Sequence, residues 1–147
     1  MTSNLKSPAI SLGYVPVDDD HQMFVALLHQ MEHADNVAFT TLFQQLATHT
    51  EKHFERENQL MQSSGFPALS EHRGDHHRVL GEIHQFQRRV DKGIIAFGRS
   101  FIRDRLKPWF DLHSTTMDSA LIAHLKTSAN GAAVMANHAV SENCARG

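Results

Sequence analysis

Apolar residues recur at three- and four-residue intervals in four segments of the chain, and polar residues fill the positions between them. This spacing places the apolar side chains on one face of an α-helix, and such a face has to be buried against a partner. The segments predict four helices. The first covers about residues 19–34, the second begins after a cap at Thr40 or Thr41 and ends at about residue 63, and the third and fourth cover about residues 70–91 and 95–126. We therefore predict an all-α, up-down-up-down four-helix bundle spanning residues 18–127.

Segments without this periodicity flank and separate the predicted helices. Residues 1–17 contain Pro8, Gly13 and Pro16, and are expected to form an extended N-terminal arm. Gly65 and Pro67 mark the connection between the second and third helices. From residue 128 onward the sequence is small, polar and unpatterned, so residues 128–147 are expected to form a mobile, disordered tail.

The composition narrows the class of protein. The chain has 147 residues, of which 41% are hydrophobic and 20% charged, and this suits one soluble domain. It has no apolar run approaching the roughly 18 residues of a membrane helix, no secretory signal and no run of Lys and Arg, and its formal charge is −2. Its single cysteine, Cys144, excludes an internal disulfide and fits a reducing compartment. We expect a cytoplasmic monomer that binds neither nucleic acid nor membranes.

Twelve histidines are the unusual feature of the composition, and several fall on the predicted inward faces. A single inward histidine is more often a core residue bonded to backbone than a metal ligand, and a lone H-x-x-x-E pair is weak evidence. Here, however, every predicted helix contributes at least one residue of a ligating type. The candidate metal ligands are His21 on the first helix, His53 and Glu57 on the second, His72 and His76 on the third, and His113 and Asp118 on the fourth.

The fourth helix departs from regular spacing at two places. Pro108 falls inside its apolar stripe and is expected to kink the helix or to remove one backbone hydrogen bond. His113 and Asp118 are five residues apart, which separates them by about 140° around a regular helix. They can serve one site if the helix is locally overwound, or if the site lies between their two directions.

The number of candidate ligands indicates how many metal ions they could hold. Five imidazoles, two carboxylates that each bridge two metals, and one bridging oxygen fill all but one position of two six-coordinate ions. Nitrogen and oxygen donors with one open position beside a second metal describe a di-iron centre that can take an exogenous diatomic ligand.

In chain order, the candidate ligands fall within a set of short motifs. The motifs are D-x-x-H ending at His21, H-F-x-x-E from His53 to Glu57 followed by Leu60 and Met61, G-F-P at residues 65–67, H-x-x-x-H from His72 to His76, and W-F-x-x-H-x-x-x-x-D from Trp109 to Asp118. This ordered set, over residues 18 to about 121, resembles the bacterial hemerythrin pattern. The resemblance implies a four-helix bundle around two non-haem iron ions, joined by an oxo or hydroxo bridge, that binds O2 at one iron. It assigns His72, His76 and His113 to the coordinatively full iron, His21 and His53 to the open iron, and Glu57 and Asp118 to bridging positions.

Two positions depart from the family pattern. The residue after the last histidine ligand is usually isoleucine and lines the oxygen pocket, whereas here it is Ser114, whose hydroxyl can donate a hydrogen bond or hold a water. Where the family commonly has tyrosine, this chain has His49, which could orient a ligand, be an additional ligand or be a core histidine. Trp109 and Phe110 are expected to pack under the site and to shape O2 access.

These features favour reversible binding of O2, or of another small diatomic or peroxide ligand, for oxygen storage, delivery or buffering. Two alternatives stay open: an oxygen or redox sensor that acts through a partner, and a peroxidase- or oxidase-like di-iron enzyme, which Ser114 favours. We prefer a binding protein to an enzyme. Ferritin-type iron storage is disfavoured because those sites are rich in carboxylates, and a zinc hydrolase because no glutamate adjoins His72 as general base.

Overall fold

The fold is built from long helices joined by short connections. The computed structural model describes the backbone of residues 9–146 and the side chains of residues 9–137. The all-α prediction is confirmed, and connections of two to four residues make α1 to α4 successively antiparallel. The helices are α1, Val15–His33; α2, Asn36–Ser64; α3, Leu69–Asp91; α4, residues 96–127; and α5, Ala129–Arg146.

Helix α1 begins at Val15, earlier than the apolar pattern predicts. Proline is favourable in the first helical turn because its missing N–H needs no partner there, and Pro16 occupies that turn. The carboxylate of Asp18 accepts hydrogen bonds from the backbone N–H groups of Leu12 at 2.8 Å and Gly13 at 3.1 Å. The predicted arm therefore gives way to helix before residue 17, and residues 1–8 of that arm lie outside the described part of the chain.

Helix α2 begins after an aspartate cap and not at a threonine. The Asp35 side chain accepts a hydrogen bond from the backbone N–H of Ala38 at 2.8 Å, and aspartate caps a helix at least as well as threonine. The helix therefore starts about one turn before the predicted cap at Thr40 or Thr41. Burial of Phe39 and Phe43 stabilises this part of the helix. The helix ends at Gly65, whose φ of 67° is the left-handed conformation that glycine adopts without a steric cost.

Helix α4 contains two wide π turns, at Ile102–Leu106 and Ser114–Asp118. In the first, the N–H of Lys107 bonds the carbonyl of Ile102, five residues back. A proline ring in a regular helix collides with the carbonyl four residues earlier, so the wider turn accommodates Pro108. The predicted disturbance at this proline therefore takes the form of a π turn.

The core has two apolar layers separated by a layer of histidine and carboxylate side chains. The layer that contains Phe24 and Phe54 is called the first apolar cluster, and the layer that contains Val17 and Leu60 is called the second. On α2, buried Phe54 belongs to the first apolar cluster, buried Leu60 belongs to the second, and Glu57 lies between them in the chain. On α1, His21 occupies the same intermediate place between Val17 and Phe24. Each helix thus passes from an apolar layer into the polar layer, so the rigid packing on both sides fixes the position of the polar side chains.

Residues 128–146, for which composition predicts a disordered tail, follow α4. After an extended residue at Ser128, the chain re-enters a helix, α5, whose Val134 and Met135 pack against the second apolar cluster. The Tyr14 hydroxyl donates a hydrogen bond to the carbonyl of Met135 at 2.9 Å. These long-range contacts join the first turns of α5 to the bundle. Cys144 lies outside the described side chains.

None of the described helices is long and apolar enough to cross a membrane.

Candidate metal centre

The seven predicted ligands meet in the polar layer of the bundle. None is more than 4% exposed. Their nitrogen and oxygen atoms form two groups, each with atoms within 4.8 Å of one another. One group contains three histidines and the other two, which is the division that the resemblance implies, and both groups include Glu57 and Asp118. The three-histidine group holds His72, His76 and His113, and the two-histidine group holds His21 and His53.

The two oxygens of Glu57 face different histidine groups. Its Oε2 lies 2.8 Å from Nε2 of His53 and 3.5 Å from Nε2 of His21. Its Oε1 lies 3.2 Å from Nε2 of His76 and 3.5 Å from Nε2 of His72. A carboxylate placed in this way can give one oxygen to each of two neighbouring cations.

Asp118 repeats this arrangement from the opposite helix. Its Oδ2 lies 3.0 Å from Nε2 of His21, in the two-histidine group. Its Oδ1 lies 3.0 Å from Nε2 of His72 and 3.1 Å from Nε2 of His113, in the three-histidine group. Two carboxylates therefore span the same pair of positions.

The second π turn brings Asp118 onto the same side of α4 as His113. The N–H of Ser119 bonds the carbonyl of Ser114, five residues back, so the turn holds more residues than a regular helical turn. Residues five apart then lie nearly above one another instead of about 140° apart. Of the two alternatives that the sequence left open, local overwinding does not occur: the helix is locally underwound, and this brings the two side chains closer in direction.

Unsatisfied polar atoms show that the cluster fits metal ions. Both oxygens of Glu57 and of Asp118, together with Nε2 of His21 and of His72, are buried without an aligned hydrogen bond, although they lie 3.0–3.5 Å from one another. Short separations without hydrogen-bond alignment are expected when donor atoms converge on a common point. Buried unsatisfied polar atoms are costly, and coordination to a cation would satisfy them. The donor set of imidazole nitrogens and carboxylate oxygens suits iron.

The buried carboxylates also change the protonation of the neighbouring imidazoles in the metal-free protein. Burial opposes the imidazolium form, but the side chains of Asp118 and Glu57 outweigh it and raise the pKa of His21 and of His72 to about 9. Burial is likewise outweighed at His53, where Glu57 and Asp20 raise the pKa to about 10. The same pairs hold the pKa of both acids below its ordinary value against the effect of burial. Metal binding therefore has to displace protons from these nitrogens.

In three of the histidines, the ring nitrogen on the side away from the centre lies next to a polar side chain. Nδ1 of His113 bonds the carboxylate of Asp75 at 2.8 Å, and Nδ1 of His76 bonds Oδ1 of Asn58 at 3.0 Å. Nδ1 of His53 lies 3.2 Å from Oδ2 of Asp20. An acceptor at Nδ1 keeps the proton there and leaves Nε2 free to bind a metal. The sequence analysis identified none of these three acceptors.

His49 serves the site without belonging to either ligand group. Its Nε2 donates a hydrogen bond to the backbone carbonyl of Asp20 at 2.9 Å, and its ring stacks on that of His53 at 6.1 Å. Burial, with the positive charge of His53, lowers the pKa of His49, so the ring is neutral near pH 7. It holds α1 against α2 beside the centre, which favours the orienting role among the alternatives considered.

Trp109 and Phe110 lie on different sides of the centre. The indole N–H of Trp109 donates a hydrogen bond to Asp75 at 3.0 Å, and its ring stacks on His113 at 4.5 Å. Phe110 instead meets His21 edge-on at 5.2 Å. The sequence placed both residues under the site. In the structure Trp109 contacts His113 and its partner Asp75, whereas Phe110 contacts His21 and lines a cavity between α1 and α4.

A cavity of about 520 Å³ lies between α1 and α4, and none of the seven candidate ligands lines it. Phe110 and Ser114 form the part of its wall nearest to His21 and His113. Ser114 is 8% exposed, and its hydroxyl makes only a long hydrogen bond of 3.4 Å to the carbonyl of Asp111. Most of the remaining wall is apolar, with contributions from Ile10, Val25, Leu28, Met31, Phe39 and Ile102.

Asp75→Asn is expected to weaken iron binding by roughly tenfold or more, because an amide no longer fixes the His113 proton at Nδ1 as a carboxylate does. The measurement is iron retained per chain after dialysis against graded concentrations of a chelator. Glu51→Gln is the matched control, since Glu51 also pairs with a histidine, His84 at 2.7 Å, but on the surface. Equal iron retention by Asp75→Asn and the parent protein would show that this hydrogen bond does not support the centre.

Comparisons with known proteins agree with this geometry. The model of the hemerythrin HHE cation binding domain matches residues 12–127. The protein named Bacteriohemerythrin from Ralstonia nicotianae is 34% identical over 119 residues, which is 81% of this chain and 86% of that protein. No solved structure matches the chain significantly. With a family model covering most of its length and a buried cluster that fits a non-haem metal site, this chain belongs to the hemerythrin family.

Proposed function

We propose that this protein binds O2 reversibly in the cytoplasm at a non-haem di-iron centre with an oxo or hydroxo bridge. The observation that supports it most directly is the placement of the two buried carboxylates. Each directs one oxygen to a three-histidine group and the other to a two-histidine group. Two adjacent metal positions with unequal numbers of imidazoles follow from this arrangement. Membership of the hemerythrin family and the similarity to a Bacteriohemerythrin support iron as the metal and O2 as the ligand.

The unequal groups assign different roles to the two positions. His72, His76 and His113, with both carboxylates and the bridge, would fill six positions on one iron, whereas His21 and His53 would leave one position open on the other. A di-iron centre held in this way supplies two electrons that O2 can take up and return. The histidines that would hold the iron with the open position include His21, whose ring contacts Phe110 in the cavity wall. We infer that small ligands reach the centre through this cavity.

The surrounding side chains would keep the site dry and its ligands oriented. Phe24 stacks on Phe110 at 4.6 Å, and Phe54 stacks on His76 at 3.9 Å, so aromatic rings cover two sides of the cluster. Exclusion of water strengthens the electrostatic interactions of the centre and suppresses side reactions of bound ligands. This enclosure favours reversible binding over turnover.

The hydroxyl of Ser114 supports a second candidate function, which is oxygen sensing or peroxide chemistry. Ser114 follows His113 in the chain, and its hydroxyl lies in the part of the cavity wall that is nearest to the centre. A hydroxyl can hold a water there, and water next to a reduced metal centre promotes its oxidation. A centre that oxidises readily would suit sensing through a partner, or a peroxidase- or oxidase-like reaction.

Ser114→Ile is expected to slow autoxidation severalfold, because the larger apolar side chain excludes water from the inner end of the cavity. The measurement is the rate at which the oxygenated spectrum converts to the ferric spectrum in air. Thr115→Val is the control, since it removes a hydroxyl from the same wall at an exposed position. An unchanged rate in Ser114→Ile would contradict the role given to this serine.

The proposed function is tested by the visible spectrum of anaerobically iron-reconstituted protein through one cycle of air exposure and deoxygenation, with iron counted per chain. Two irons per chain and a spectrum that returns to its starting form would support reversible O2 binding. Two irons with irreversible conversion to the ferric form would favour sensing or peroxide chemistry. Fewer than two irons per chain would contradict the di-iron centre.

A further inference from the structure

A second group of metal-ligating side chains lies on α1, outside the candidate di-iron centre. Among the residues that the structure describes, His29, Glu32 and His33 each offer one ligand atom, and these atoms all lie within 4.8 Å of one another. We propose that this triad is a separate site for one divalent transition-metal ion, with Zn²⁺ as the ion whose chemistry fits it best. It shares no residue with the buried centre and does not depend on the proposed function.

The spacing of the triad suits chelation from a single helix. Residues three and four apart project from the same face of a helix, so the three donors can reach one point without a change in the backbone. The rings of His29 and His33 have centroids 5.0 Å apart and are inclined by 71°. The neighbouring residues Leu28 and Met31 are buried in the core and hold this part of α1 in place. The helix backbone that carries the donors is therefore fixed before binding, which lowers the entropic cost of binding.

The three side chains have no competing partner within the described part of the chain. No hydrogen bond or ion pair involves any of them, whereas other surface carboxylates, such as Glu82 and Glu51, are paired with Arg78 and His84. Nδ1 of His29 is shielded from solvent and lacks a hydrogen-bond partner. A half-buried imidazole with an unsatisfied nitrogen, next to a free carboxylate and a second free imidazole, is a set of donors that a cation would satisfy.

The donor chemistry distinguishes between classes of ion. Two imidazole nitrogens and one carboxylate oxygen match Zn²⁺, which would take a water as its fourth ligand, and they fit Cu²⁺ and Ni²⁺ as well. Mg²⁺ and Ca²⁺ prefer oxygen donors only and are not expected to bind here.

Basic side chains nearby do not occupy the carboxylate of the triad. His29 and Glu32 line the same cavity as Arg99 and Arg103. The Arg99 guanidinium donates hydrogen bonds to the carbonyl of Ala34 and to a side chain, and Arg103 pairs with a neighbouring aspartate at 2.9 Å. Glu32 is therefore left available to a metal ion at the wall of the cavity.

Zinc binding to the full chain tests this site, with zinc and iron counted in the same equilibrium-dialysis samples. We expect one Zn²⁺ per chain in addition to the metal held by the buried centre. His33→Ala and Glu32→Gln each remove one donor from an exposed position and are expected to weaken this zinc binding by roughly tenfold or more. His84→Ala is the control, because it removes a surface imidazole that has only one carboxylate neighbour, and it is expected to leave zinc affinity unchanged.

Three results would overturn the second site. The first is no zinc beyond the content of the buried centre. The second is the same zinc affinity in the parent chain, His33→Ala and Glu32→Gln, which would indicate adventitious binding elsewhere. The third is a zinc gain matched by an equal loss of iron, which would place the zinc in the buried centre. Circular dichroism spectra that match the parent spectrum would show that both variants are folded.

Discussion

Glu57→Gln is expected to lower the iron content of the reconstituted protein from the proposed two ions per chain to fewer than one. The two oxygens of Glu57 face different histidine groups, His53 on one side and His76 on the other. A glutamine offers one neutral oxygen and one NH2 donor, so it cannot supply an anionic oxygen to both positions. The substitution also removes one of the two buried negative charges that balance the metal ions. Iron analysis and the visible spectrum after anaerobic reconstitution measure this loss.

Glu55→Gln provides the matched control for this prediction. It makes the same chemical change two residues away on α2, but Glu55 is exposed and points away from the centre. The control is expected to retain two irons per chain and the spectrum of the parent protein. Full iron content in Glu57→Gln would rule out a bridging role for this carboxylate. Equal iron loss in both variants would attribute the effect to the helix and not to the site.

The convergence of six of the seven candidate ligands could be predicted because their positions follow the helical repeat, and Asp118 is the exception. His53 and Glu57, like His72 and His76, are one turn apart and in phase with the apolar stripe of the same helix. Burial of each stripe in a bundle then brings the ligands of all helices to one layer. The structure confirms the all-α fold, and it brings the predicted residues together within the described part of the chain.

The local geometry at Asp118 could not be predicted from the helical repeat. The regular repeat places this residue about 140° from His113, and a pattern of apolar residues does not reveal a π turn. The five-residue spacing was itself a signal, since a wide turn is the one helical irregularity that stacks residues five apart. Local overwinding was one of two alternatives that the sequence left open, and the structure has the opposite irregularity.

The residues that orient the histidines were also not identified from the sequence, because their contacts cross between helices. Asn58 bonds His76 from α2 to α3, and Asp20 approaches His53 from α1 to α2. Neither pair is related by a sequence spacing, so only the packed structure identifies it. The contact between Tyr14 and Met135 likewise joins residues that no sequence spacing relates.

Metal-free protein is expected to lose stability as the pH rises from 6.5 to about 9, whereas iron-loaded protein is not. In the folded metal-free chain, Glu57 and Asp118 outweigh the effect of burial and raise the pKa of His21 and His72 from 6.5 to about 9, and that of His53 to about 10. A histidine whose pKa is raised by folding makes its full contribution to stability when the pH is below its pKa in the unfolded chain. This contribution disappears as the pH rises past its pKa in the folded protein. Since one pKa unit corresponds to about 1.4 kcal/mol, a loss on the order of a few kcal/mol is expected.

Bound iron reverses this dependence because it takes the place of the protons. Imidazoles that bind a metal are neutral, so alkaline pH no longer removes a stabilising charge and instead relieves the competition between protons and metal. The difference in unfolding temperature between iron-loaded and metal-free protein should therefore widen from pH 6.5 to 9, as measured by thermal unfolding of both forms. Metal-free His53→Gln lacks the imidazole with the highest of these pKa values and should show a smaller alkaline loss than the metal-free parent. A metal-free parent whose stability stays constant or rises over this pH range would contradict the charged state assigned to the buried cluster.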